Sequence, residues 1–165
     1  MIPRLRLAVL AGFVFLGCAA QAQLKPPAAG AAAPAAAAAA NSDVKSDPEK
    51  ENAGKLAALG WLTLLDRKDW GTAWEQSSTA FRQTVPLANW MDGIPKVRDP
   101  LGTLMVRQPQ ETIYKTSLPG RPAGHYVHTS FISKFENQAV QEVVTAVLDA
   151  DGKWRVMGYS YKVAE

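Results

Sequence analysis

The sequence predicts an α+β domain, with N-terminal helices packed on an antiparallel sheet of about four strands. Three observations predict it. Apolar residues recur at helical spacing from Pro48 to Ile94. Alternating, β-branched segments take over from Leu101 to Val163. Turn-rich stretches, not crossover helices, join those later segments, which excludes alternating βαβ units.

The helices come first. Ser46-Asp47-Pro48-Glu49 is a start signal, with a capping side chain, then proline, then an acid in the first turn. Ala58, Trp61, Leu62 and Leu65 then fall on one face. Asp66-Arg67-Lys68 interrupts, and Asp69 caps a second helix carrying Trp70, Ala73, Trp74 and Ser77. Phe81 follows a short break. Pro86 opens a third helix with Leu87, Trp90, Met91 and Ile94 facing inward, and Pro95 should disturb it near its end.

The strands follow. Leu101–Arg107 alternates loosely and continues through Gln110–Thr116, with Pro109 marking a bulge or an edge. Residues 118–124 are rich in proline and glycine. His125–Phe135 places Val127, Thr129, Phe131, Ser133 and Phe135 on one face, and Glu136-Asn137-Gln138 turns the chain. Ala139–Asp149 aligns Val140, Glu142, Val144, Ala146 and Leu148. Asp151-Gly152 signals a tight hairpin into a last strand, Lys153–Val163. Strict alternation there sets Trp154, Val156 and Gly158 opposite Arg155, Met157, Tyr159 and Tyr161.

The ends of the chain point to export. Arg4 and Arg6 precede an apolar run, Leu7–Gly17, and then small residues. That is the order of a secretory signal peptide, and the run is too short to span a membrane. Cleavage after Ala22 gives residues 1–22 as signal and a soluble periplasmic or secreted product. The alternative reads Phe15-Leu16-Gly17-Cys18 as a lipobox, which would leave Cys18 lipidated and the protein membrane-anchored. Residues 23–48 read as an Ala/Pro-rich linker and 49–165 as one domain. Cys18 is the only cysteine, so the domain has neither disulfide nor thiol chemistry. Without the signal's two arginines, 16 basic residues face 15 acidic ones. Near-neutrality gives no electrostatic case for a nucleic-acid partner, and a membrane is implied only through a lipidated Cys18.

A set of motifs in one order carries a family resemblance. They are Trp61-x-x-Leu64-Leu65-Asp66-x-x-Asp69-Trp70-x-x-x-Trp74, Phe81-Arg82, Trp90, Arg98-Asp99-Pro100-Leu101-Gly102 and Arg107. Leu118-Pro119-Gly120-x-Pro122-x-Gly124-x-Tyr126 and Asp151-Gly152-Lys153-Trp154-Arg155-Val156-x-Gly158-Tyr159 complete it. From about residue 53 onward the chain resembles the bacterial family known as domain of unknown function forty-nineteen. The resemblance implies an exported protein with a cone-like fold, helices on a curved sheet, like nuclear transport factor two and the cystatins. It implies no activity, because that wider fold hosts isomerases, dehydratases and plain binding or dimerisation modules.

Within such a cone, Trp61, Trp74, Trp90, Arg98, Arg107, Tyr126 and Tyr159 are the ligand or pocket candidates. For the tryptophans, core packing is the simpler account. Asp66 and Asp69 are explained as caps. Glu142 is the one candidate for a catalytic group. If its face is internal, the carboxylate needs Arg98, Arg107 or Tyr126 as a partner. An ion pair is then its ordinary role, and a general acid or base of raised pKa the functional one. His125 and His128 lie three apart and cannot share a metal from a regular strand, so no metal site is expected. No phosphate loop, G-x-S-x-G elbow or H-E-x-x-H occurs, and no cofactor is implied. The leading expectation is a non-catalytic envelope module binding a small apolar ligand or an envelope protein. A small isomerase or dehydratase and a homodimerisation module are the alternatives.

Overall fold

The computed structural model describes residues 46–164. The expected signal, Cys18 and almost all of the linker lie outside the described residues.

Four helices precede four strands: α1 Pro48–Asp66, α2 Trp70–Glu75, α3 Thr79–Thr84 and α4 Leu87–Arg98, then β1 Leu104–Lys115, β2 Tyr126–Phe135, β3 Ala139–Leu148 and β4 Trp154–Val163. The strands form one antiparallel, curved and unclosed sheet in the order β1-β2-β3-β4. The fold class is therefore α+β, as the sequence predicts. Asp47 accepts from the Lys50 amide ahead of α1, and Asp69 accepts from the Thr72 amide at 3.3 Å to start α2. The short α3 has no apolar period to announce it; its Ser78 cap accepts from the Phe81 amide at 3.2 Å.

Four local expectations change. Leu87 and Met91, expected to face inward, are exposed. α4 continues past Pro95 to Arg98. The carbonyl that loses its helical partner belongs to Met91, whose side of the helix is exposed and open to water. Leu101 lies in a 3-10 turn before β1 and is buried. In β4 the alternation breaks. Ala146 pairs with Val156 but Thr145 pairs with Gly158, so Met157 is an extra residue. This bulge returns Tyr159, opposite Val144, to the face that Val156 occupies. Pro109 sits on the edge strand β1 beside a register shift, so it marks both an edge and a bulge.

The core lies between the helices and the inner sheet face. Ala58, Trp61, Leu62 and Leu65 of α1 meet Phe131, Val144 and Val156, with Phe81, Trp90 and Ile94 closing the layer. Trp90 packs edge-on against Phe81 with ring centroids 5.4 Å apart. α1 approaches the sheet closely at Gly54, where an added Cβ would stand 2.5 Å from Val127 Cβ. Gly102 has φ +80° at the turn into β1, and Thr103 N–H beside it donates to Glu136 at 2.9 Å.

Candidate functional site

The inner face carries a buried polar cluster, built from one residue of each of six elements. α1 ends with Asp66, one turn beyond Leu62 on the buried stripe. α4 ends with Arg98, four residues beyond the buried Ile94. β1 supplies Arg107, β2 Ser133, β3 Glu142 and β4 Tyr159. Glu142 is fully buried, and the Arg98 and Arg107 side chains are 3% and 7% exposed.

Among the described residues, no fully buried side-chain polar atom lacks a hydrogen-bond partner. Arg98 donates to Glu142 Oε1 at 2.6 Å, to the Tyr159 hydroxyl at 2.9 Å, and to Asp66. Arg107 Nε donates to Glu142 Oε2 at 2.8 Å and to Ser133 Oγ at 3.1 Å. Its terminal nitrogens reach Asp66 at 2.6 and 3.0 Å. Ser133 donates to Glu142 Oε2, and Tyr159 donates to Glu142 Oε1 at 2.9 Å. Two carboxylates thus balance two guanidiniums, and Arg98 also sits 4.8 Å over the Phe135 ring.

Electrostatics follow from this packing. Burial by itself would raise the Glu142 carboxyl. The Arg107 charge, the Ser133 hydroxyl and the Arg98 charge outweigh it and hold the group below the usual carboxylate range. Burial first, and then the Glu142 charge, push the Tyr159 phenol above its ordinary range. Desolvation opposes ionisation of Arg107, yet the Asp66 and Glu142 contacts raise it further. A carboxylate so placed is charged, saturated and shut from solvent, the reverse of a poised general acid or base.

The pocket candidates separate into groups. Arg98, Arg107 and Tyr159 gather around Glu142. Tyr126 does not; its hydroxyl donates to Pro122 O at 2.7 Å. Ser133 and Tyr159 take the place expected for Tyr126. Trp61 is core, donating to Ala73 O at 2.8 Å and to Ser77 Oγ at 3.0 Å. Trp74 donates to Val85 O at 2.7 Å, outside the cluster. Asp66 is not a cap: it bridges two arginines. The signal for it, and for Arg98, was a charged residue four places after an apolar one on the inward stripe.

A recess of only about 20 Å³ borders Asp66 and Arg98, and the larger apolar space lies elsewhere. A groove of about 460 Å³ runs between α4 and β4, with Trp90, Ile94, Val97, Tyr159 and Tyr161 on its walls. Asn89, Gly93 and Ser160 complete its lining with Val85, so no ionisable carboxylate or cation borders it. Trp90 and Tyr159 are the two pocket candidates that reach it. The Trp90 ring nitrogen is turned away, donating to Trp70 O at 2.7 Å.

No curated protein and no solved structure matches the chain. The family described as Protein of unknown function (DUF4019) matches residues 57–159, which runs from the middle of α1 to Tyr159 and takes in the whole Asp66–Arg98–Arg107–Glu142 cluster. The chain belongs to that family.

Proposed function

We propose that this chain is an exported, non-catalytic module of the cell envelope that binds an apolar ligand or partner in the α4–β4 groove. One observation carries the reading. Among the described residues Glu142 is the one buried carboxylate of the sheet, and it is neutralised by Arg98 and Arg107 and closed to solvent, whereas the open apolar space lies at the groove. The Glu142 cluster then serves as a brace that holds α4 and β4, the two walls of the groove, at fixed separation. Arg98 closes the foot of α4 and Tyr159 belongs to both brace and groove. Export rests on the signal-like residues 1–22.

A neutral apolar dye, N-phenyl-1-naphthylamine, tests the site. Its fluorescence should rise on saturable binding and should quench Trp90. Gly93→Phe should abolish binding without unfolding the protein, since an added Cβ at Gly93 meets nothing within 4 Å. Dye binding unaffected by Gly93→Phe would place the ligand elsewhere and defeat the reading.

A further inference from the structure

The sheet has two edges, and they are treated differently. β1 carries Pro109 and two register irregularities, features that discourage addition of another strand. β4 is covered where it begins: Ser78 N–H donates to Val156 O at 2.8 Å, and α3 lies against this strand. Beyond Met157, among the described residues, no backbone hydrogen bond reaches the outer side of the strand. Ala164 N–H donates to Ala139 O at 3.0 Å, so alternation turns Lys162 and Ser160 toward β3. The backbone groups of Tyr159, Tyr161 and Val163 therefore face outward. Among the described residues none of these groups has a backbone partner beyond the edge. Tyr161 and Val163 are 37% and 56% exposed, the stretch has no proline, and the apolar groove runs along its inner side.

We propose that the outer edge of β4, Tyr159 to Val163, accepts an extended segment of a partner protein as a fifth strand, whose alternate side chains are apolar and uncharged and seat in the groove. The inference rests on the groove being the binding site, as proposed above. Main-chain hydrogen bonds to the open edge supply affinity, and the groove selects side chains. Charge selects their chemistry. No carboxylate, lysine or arginine lines the groove, and Asp92 and Lys96, which flank it on α4, pair with each other. A charged side chain placed there would lose water and gain no counter-ion. A second copy of this chain fits less well. Along this stretch its inward side chains, Tyr159 and Tyr161, already form the wall of its own groove and are not free to enter another.

The test uses the mature protein and a fluorescein-labelled heptapeptide, Thr-Phe-Thr-Val-Thr-Phe-Thr, followed by anisotropy. Saturable binding is expected. N-methylation of one alternate set of peptide amides should weaken it about tenfold or more, and methylation of the other set should not. Replacing the three apolar residues of the peptide by Glu should abolish binding. On the protein side, Val163→Pro removes an outward N–H at an edge position that tolerates proline. It should weaken binding about tenfold while the thermal melt stays within a few degrees of wild type. Absence of peptide binding overturns the inference. So does binding indifferent to both methylation sets, or a dimer seen by light scattering and lost in Val163→Pro. If the naphthylamine dye binds and the peptide does not, the inference fails while the groove reading stands. If neither binds, both fail.

Discussion

Glu142→Gln isolates the energetic weight of the buried cluster. The substitution keeps the side-chain shape and removes one of two negative charges that face two guanidiniums. Asp66 is left to balance Arg98 and Arg107 alone, and the new amide places N–H against donors from Ser133, Arg107 or Tyr159. Deleting one partner of a buried ion pair leaves an uncompensated charge and costs about 3–5 kcal/mol. Glu142 is fully buried and Arg107 nearly so, which puts this site in that range and not in the range below about 1 kcal/mol typical of exposed pairs. At about 4 °C per kcal/mol for a domain of this size, the melting temperature should fall by about 12–20 °C. Urea unfolding at pH 7 measures the free energy directly. The pH dependence supplies a second reading. A carboxyl held below its ordinary value contributes stability above the unfolded pKa, 4.5 for Glu, and loses it as pH falls through the folded value. The gap between wild type and Glu142→Gln should therefore be full at pH 7 and shrink below about pH 4. A loss under about 1 kcal/mol at pH 7, or a gap that stays constant down to pH 3, would refute the account of a sealed, charge-balanced cluster.

Three further outcomes follow from the same geometry. In α1, Gly54→Ala drives a Cβ to within 2.5 Å of Val127 and should cost about 1–3 kcal/mol, whereas Gly60→Ala, with nothing within 4 Å, should stabilise the helix by about 0.5–1 kcal/mol; paired urea titrations separate them. Tyr159 should resist ionisation in a spectrophotometric titration at pH values where exposed tyrosines have ionised, and Tyr159→Phe should remove that late step; because its pKa is raised, the stability tied to its neutral form is present below about pH 10 and lost as pH rises beyond it. Mass spectrometry of the mature N-terminus should find Gln23; a lipidated Cys18 would instead make the linker, residues 23–48, a tether.

Local rules carried much of the architecture. The caps Asp47 and Asp69, the stripe Ala58–Leu62–Leu65, the alternation of β2 and β3 and the Asp151-Gly152 turn are each decided by neighbours within a few residues, so they are readable without a fold. The inward position of Glu142 and its need for arginine follow from period two and from the cost of burying a charge. The departures share one cause. α3 and the end of α4 are tied to distant strands, by Ser78 N–H to Val156 O and by Arg98 to Glu142, contacts that no short window contains.

The chain order of helices and strands, the cysteine-free domain and the near-neutral charge were set by sequence alone, because composition and local periodicity determine them. Which residues meet Glu142 was decided only by tertiary structure. Asp66 reads as a cap until α1 and α4 end beside the same strands, and Tyr159 reads as outward until one extra residue in β4 reverses its side. The groove likewise has no sequence signal. Its walls, α4 and β4, lie more than fifty residues apart in sequence and meet only in the folded chain, so no local pattern announces it.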